Sequence, residues 1–237
     1  MKAIILAAGR GSRLGAFTNE KPKCMVEFKG KTLLQHQVNA LRSAGIEGIA
    51  VVSGYKKEKL SHSYISKFFD NKFWFKTNMV YSLFMADEWL IRYDCLISYS
   101  DIFYISKTIE PLIKSTDEFS ILYNKNFLKA WQLRFENPLD DLESFKIDRE
   151  KNLSNIGEKV ENLNEIQGQY MGLLKITPQS WKKIKKILKD CNIKEMDMTT
   201  MLNLLISEGV KIKGIPSVSP WAEIDSPSDL DVYEKLL

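Results

Sequence analysis

Short, uninterrupted apolar runs alternate along the chain with stretches whose apolar positions recur every three or four residues. Ala3–Ala8 sets Ile4, Ile5 and Leu6 side by side, the continuous apolarity of a parallel strand covered on both faces. Thr32–Ala44 predicts a helix: Leu34, Val38 and Leu41 share one face, Thr32 suits the N-cap and Gly45 the residue just past the end. Ile49–Val52 and the short Phe73–Lys76 predict strands, Val80–Tyr93 a helix, and Cys95–Tyr99 the next strand. Strand–helix–strand alternation of this kind predicts an α/β fold on a mostly parallel sheet flanked by helices.

The middle of the chain changes character. Phe119–Asn124, Trp131–Phe135, Phe145–Asp148 and Leu153–Ile156 are short, partly alternating runs divided by Asn, Asp, Pro and Lys. They predict a small antiparallel insertion over about residues 119–165. Gln169–Ile176 then returns to a strand, Ser180–Lys189 predicts a basic helix with a solvated face, and Met198–Ile206 a helix closed by Gly209. A strand over Val210–Ile215, an extended Trp221–Ile224 and a last helix over Ser228–Leu237 complete the pattern. No repeat or Gly/Ser linker divides it, so residues 1–237 are expected to form one domain.

Composition narrows the class. With 237 residues, 44% apolar and 27% charged, the chain can build a sizeable core. Its net charge of +4 is spread along the sequence and gives no footprint for nucleic acid. Cys24, Cys95 and Cys191 fit neither a disulfide framework nor zinc spacing, which points to a reducing cytoplasm. No apolar run reaches the roughly 18–20 residues that span a membrane, and Ala3–Ala8 is too short for a signal peptide. A cytoplasmic protein with no membrane partner is the expectation.

The chemistry begins where the first strand ends. Leu6-Ala7-Ala8-Gly9-Arg10-Gly11-Ser12-Arg13-Leu14-Gly15 places small residues at a strand's carboxyl end, where backbone N–H groups can approach an anion and Arg13 can present a guanidinium fork. The spacing is neither the dinucleotide fingerprint nor a P-loop, and a tight βα turn would explain the glycines alone. Lys21-Pro22-Lys23 follows closely, however, and Arg and Lys converging on a polyphosphate suit phosphoryl or nucleotidyl transfer. Such transfer usually uses Mg²⁺, held by one or two carboxylates. Asp101 follows the strand Cys95–Tyr99, and Glu223 and Asp225 share one face of an extended segment. Asp225 could equally cap the last helix, and Asp101 could be a turn residue.

Taken together, Leu6–Leu14 and Lys21-Pro22-Lys23 resemble the signature of the sugar-phosphate nucleotidyltransferases, whose fold is Rossmann-like and GT-A-type. The resemblance implies NTP binding by Leu6, Ala7, Ala8, Gly9, Gly11, Ser12 and Arg13. It implies catalysis by Lys23 with Arg13 and Asp101, and metal ligation by Asp101, Asp225 and Glu223. Asn78-x-x-Tyr81-Ser82-Leu83 reads by itself as a helix N-cap and first turn, but it also resembles a segment of the phosphocholine cytidylyltransferase-like branch, which would put Asn78 and Ser82 on the nucleotide. Gln169 and Tyr170 stand where sugar enzymes contact the acceptor. Asp197 is a natural cap that could also meet an acceptor ammonium. The branch implies CMP transfer from CTP to a small phosphorylated zwitterion, of phosphoglutamine or phosphocholine type, for a bacterial capsule or other surface polymer. It leaves a homodimer open. A hexose-1-phosphate uridylyl- or thymidylyltransferase is the nearer alternative, and a non-catalytic nucleotide-binding protein the more distant one.

Overall fold

The computed structural model describes residues Met1–Leu237. In chain order, β1 (Lys2–Ala7) leads through the glycine loop to a small ribbon of β2 (Glu27–Phe28) and β3 (Lys31–Thr32). Then come α1 (Leu33–Ser43), β4 (Ile49–Ser53), β5 (Lys67–Asp70), α2 (Met79–Phe84), α3 (Asp87–Leu90) and β6 (Cys95–Tyr99). β7 (Ile102–Tyr104), α4 (Ser106–Lys114), β8 (Phe119–Asn124), α5 (Leu128–Arg134), β9 (Glu143–Ile147) and β10 (Leu153–Lys159) follow. The chain closes with β11 (Gln169–Ile176), α6 (Pro178–Ile187), α7 (Met198–Ser207), β12 (Lys213–Ser217), β13 (Trp221–Glu223) and α8 (Pro227–Leu236).

Seven strands form one sheet in the order β12-β8-β11-β6-β1-β4-β5. All run parallel except β11, which is antiparallel to both of its neighbours. The mostly parallel sheet is therefore as the apolar pattern predicts, and its Rossmann-like form is as the resemblance implies. β1 lies between β4 and β6, and Ile4 and Ile5 are fully buried, the reason its run shows no alternation. Thr32 caps α1 as expected, with Thr32 and Gln35 bonding each other's backbone in a capping box. No helix is long and apolar enough to cross a membrane.

Several local expectations are overturned. Phe73–Lys76 is a 3₁₀ turn, because Asn71 bends the chain by accepting the Phe73 N–H, and the edge strand lies earlier, at β5. The long helix over Val80–Tyr93 splits into α2 and α3 at a turn closed by Met85 N–H to Ser82 O and Ala86 N–H to Leu83 O. Trp131–Phe135 is not a strand but the end of α5: Trp131 is buried, stacks on Trp221 and donates to Asp141. Phe119–Asn124 belongs to the main sheet between β11 and β12, so the antiparallel β9–β10 hairpin and α5 occupy residues 125–165 rather than the whole of 119–165. The strand expected at Val210–Ile215 begins only at Lys213. β7 and α4 have no counterpart in the sequence reading.

Beside the main core lies a second, smaller one made of Leu14, Val26, Phe28, Leu33, Phe103, Ala222, Ile224 and Tyr233. Its members sit next to the candidate chemistry. Leu14 follows Arg13, Val26 comes soon after Lys23, Phe103 after Asp101, and Ile224 separates Glu223 from Asp225.

Candidate active site

The glycine loop works by letting another side chain through. Gly11 is left-handed, with φ +72°, and a Cβ there would fall 2.7 Å from Lys23 Cβ and 2.8 Å from Lys23 Cδ. Lys23 begins a 3₁₀ turn directly after Pro22 and runs its stem across this gap. Its Nζ, on a side chain only 8% exposed, donates to Asp101 Oδ2 at 2.8 Å and to Asp225 Oδ1 at 2.5 Å. Burial alone would lower the Lys23 pKa, but the charges of Asp101 and Asp225 outweigh it and hold the ammonium above its ordinary value.

Two distant parts of the chain bring those acids together. β7 and β13 pair antiparallel, with Glu223 opposite Ile102, and Ile224 N–H donates to Asp101 O at 2.9 Å. The turn carrying Asp101 is braced from below by Gln37 of α1, fully buried, whose Nε2 donates to Tyr99 O at 3.0 Å and Ile102 O at 2.6 Å. Asp225 Oδ1 also accepts from Arg13 at 2.8 Å. Burial would raise the Asp225 carboxyl, yet Lys23, then Arg13 and Arg134, hold it below its usual range. Glu223 goes the other way. Burial and the neighbouring charge of Asp225 push it up to about 8, against the pull of Arg134.

Two cavities meet at this cluster. One, of about 280 Å³, is lined by Leu6, Ala8, Gly9, Gly11, Ser12, Arg13, Lys23 and Asp101 at one end and by Trp74, Thr77, Asn78, Met79 and Ser82 at the other. The second, of about 170 Å³, is bordered by the acids Asp141, Glu143, Glu223 and Asp225, with Arg13 as its one cation. Tyr99, Gln169, Tyr170 and Thr199 are among the other residues of the wall. Arg13, its side chain 65% exposed, reaches into both.

Most residues picked from the sequence thus converge. Leu6, Ala8, Gly9, Gly11, Ser12, Arg13, Lys23, Asn78 and Ser82 line the first cavity, and Gln169 and Tyr170 the second, while Ala7 is strand core beneath. Asp197 stands apart from them. Asp197 caps α7, accepting Thr200 N–H at 2.7 Å, and only its neighbour Thr199 reaches the second cavity. Glu223 lines the second cavity beside Asp225 and turns its Oε2 toward Arg134 at 3.6 Å. The sequence reading missed Asp141 and Glu143, which the insertion supplies, and Arg134, hidden in a segment taken for a strand. The cluster of Asp140, Asp141 and Glu143 was the one available signal.

Asp101 and Asp225 fit Mg²⁺ as a pair. Both offer hard oxygen ligands, and Asp101 Oδ1 is buried with no hydrogen-bond partner.

The MobA-like NTP transferase domain matches residues 3–124. The chain is 39% identical to the CTP:phosphoglutamine cytidylyltransferase of Campylobacter jejuni over 98% of each chain. It is also 39% identical to the choline-phosphate cytidylyltransferase of Streptococcus pneumoniae over 37% of this chain and 40% of that one. Among solved structures, the inositol-1-phosphate CTP transferase from T. maritima shares the fold with a TM-score of 0.79 at 20% identity, covering 99% of this chain and 95% of that one. The CTP:phosphocholine cytidylyltransferase of S. pneumoniae does so with a TM-score of 0.72 at 20% identity, covering 100% and 99%.

Proposed function

The chain belongs to the MobA-like NTP transferases and is a nucleotidyltransferase, and from that premise we propose that it transfers CMP from CTP to a small phosphorylated amine, releasing pyrophosphate. The observation that carries the reading is the meeting of two cavities at Arg13, Lys23, Asp101 and Asp225. The glycine-loop cavity suits the nucleotide. The second cavity is rich in carboxylates, which favours an acceptor whose far end is an ammonium, as in phosphoglutamine or phosphocholine, over the neutral hydroxyls of a hexose.

In this mechanism, Gly9, Gly11 and Ser12 cradle the triphosphate with backbone N–H groups and Arg13 clamps phosphate oxygens. Asp101 and Asp225 would hold Mg²⁺, which would supply neutralising charge for the phosphates. Lys23 exchanges its carboxylate partners for the α-phosphate and offsets the charge that builds there. The acceptor's phosphate oxygen forms a bond to the α-phosphorus while the bond to the β-phosphate bridging oxygen breaks, and pyrophosphate departs with that electron pair. No protein nucleophile takes part, so catalysis rests on position and charge.

The deciding experiment measures pyrophosphate release with CTP, UTP and dTTP against phosphocholine, phosphoglutamine and hexose 1-phosphates. Turnover confined to CTP with a phosphorylated amine is the expected result. Efficient turnover of UTP or dTTP with a hexose 1-phosphate would overturn the reading. Glu143→Gln, at the rim of the second cavity, is expected to raise KM for the amine by about five-fold, the worth of one exposed charge pair, with KM for CTP unchanged.

A further inference from the structure

Arg134 is the most completely enclosed charge in the molecule's working region, and the mechanism above gives it nothing to do. It stands at the end of α5, within the insertion, and its side chain is 0% exposed. The guanidinium lies over the Trp131 ring at 4.6 Å, with Phe135 at 5.1 Å and Tyr233 at 5.8 Å. A charge so placed is costly unless it is paired, and all of its partners come from one short segment of the chain.

Those partners are arranged in order. Nε donates to Asp229 Oδ1 at 2.7 Å, one terminal nitrogen reaches Asp225 Oδ2 at 3.3 Å, and the other faces Glu223 Oε2 at 3.6 Å. Asp229 in turn accepts the backbone N–H groups of Asp225 at 2.8 Å and Ser226 at 2.7 Å through Oδ2. The two oxygens of Asp225 are thereby divided. Oδ2 is tied to Arg134, and Oδ1 is left for Lys23 and Arg13. The planar fork suits this task, because one rigid group can fix the backbone, through Asp229, and the carboxylate plane at once. The same insertion grips the segment a second time through the Trp131–Trp221 stack, with centroids 6.1 Å apart and planes 7° from parallel.

We propose that Arg134 is a positioning residue for the transfer reaction. It sets the orientation of Asp225 and Glu223, and so makes the insertion a part of the active site. This rests on the reading of Asp225 as an active-site acid. The role is carried by geometry rather than by charge alone, so a lysine cannot fill it: a single ammonium cannot span Asp225, Glu223 and Asp229 together.

The test compares Arg134→Lys, Arg134→Met, Asp229→Asn and Asp225→Asn in steady-state kinetics, with CTP binding followed by calorimetry and folding by circular dichroism. Arg134→Lys keeps the buried charge and is the variant expected to fold. It should lower kcat by roughly 10-fold or more, with the Kd for CTP within about three-fold of the parent, the pattern of a lost transition-state alignment. Asp229→Asn keeps an oxygen for the two backbone N–H groups but loses the charged partner of Nε, and should lower kcat in the same direction. A folded Arg134→Lys protein with parental kcat, or one whose loss lies wholly in KM for CTP, would overturn the proposal. Asp225→Asn separates the two levels. If it too retains kcat, the active-site assignment itself fails; if it loses kcat while Arg134→Lys does not, only the positioning role fails.

Discussion

Lys23→Ala is expected to lower kcat by at least ~10²-fold, the usual cost of removing a charge partner from a transition state, while the protein still binds CTP. The reasoning starts from burial. An ammonium 8% exposed, shared by two carboxylates and held above its ordinary pKa, stays charged throughout the neutral range. It lines the glycine-loop cavity and bonds Asp225, which borders the second, so its charge stands between the two. Arg13 has a different station, exposed and reaching both cavities, and cannot take over the buried position. Pyrophosphate release and calorimetric CTP binding together decide the matter. A folded Lys23→Ala protein with turnover within a few-fold of the parent would remove Lys23 from the catalytic role.

The second large effect is expected at Gly11. Gly11→Ala forces an L-residue into a left-handed conformation, at a cost of about 1–2 kcal/mol, and drives its methyl group into the stem of Lys23. Lys23 must then move away from Asp101 and Asp225, so stability and kcat should fall together, kcat by an order of magnitude or more. Gly9→Ala is the control in the same loop. A Cβ at Gly9 has no neighbour within 4 Å, and the residue lines the first cavity. That variant should keep its Tm but bind CTP more weakly, because the methyl group occupies room beside the triphosphate. Equal thermal and kinetic behaviour of the two variants would contradict the distinction drawn between them.

How much of this was legible in the sequence follows from where the signal is local. β1, the capping box of α1 and the glycine loop could be read because each is specified by adjacent residues and short-range rules. The convergence of Asp101 with Asp225 could be expected only from the needs of the chemistry and from resemblance, since the β7–β13 pairing that produces it joins remote segments and β7 itself went unread. The insertion was misjudged for a related reason. Trp131 and Phe135 look like strand residues by type, but burial of the Trp131 indole against Trp221 and Asp141 favours a helix there. Arg134 was hidden by that error, and Asp141 and Glu143 lie in the same insertion. Asp197 shows the opposite case, a carboxylate whose capping role is specified by its immediate neighbours and is formed as read.

The small core of Leu14, Val26, Phe28, Leu33, Phe103, Ala222, Ile224 and Tyr233 has a dynamic consequence. The loops that carry Arg13, Lys23, Asp101 and Asp225 are fastened to one another through it, apart from the large core beneath the sheet. Native-state amide exchange should therefore reveal them as one cooperative unit, with the Leu14, Val26 and Ile224 amides losing protection together at a free energy below that of global unfolding. Local breathing would then disarm or restore the whole catalytic set in a single event rather than one loop at a time.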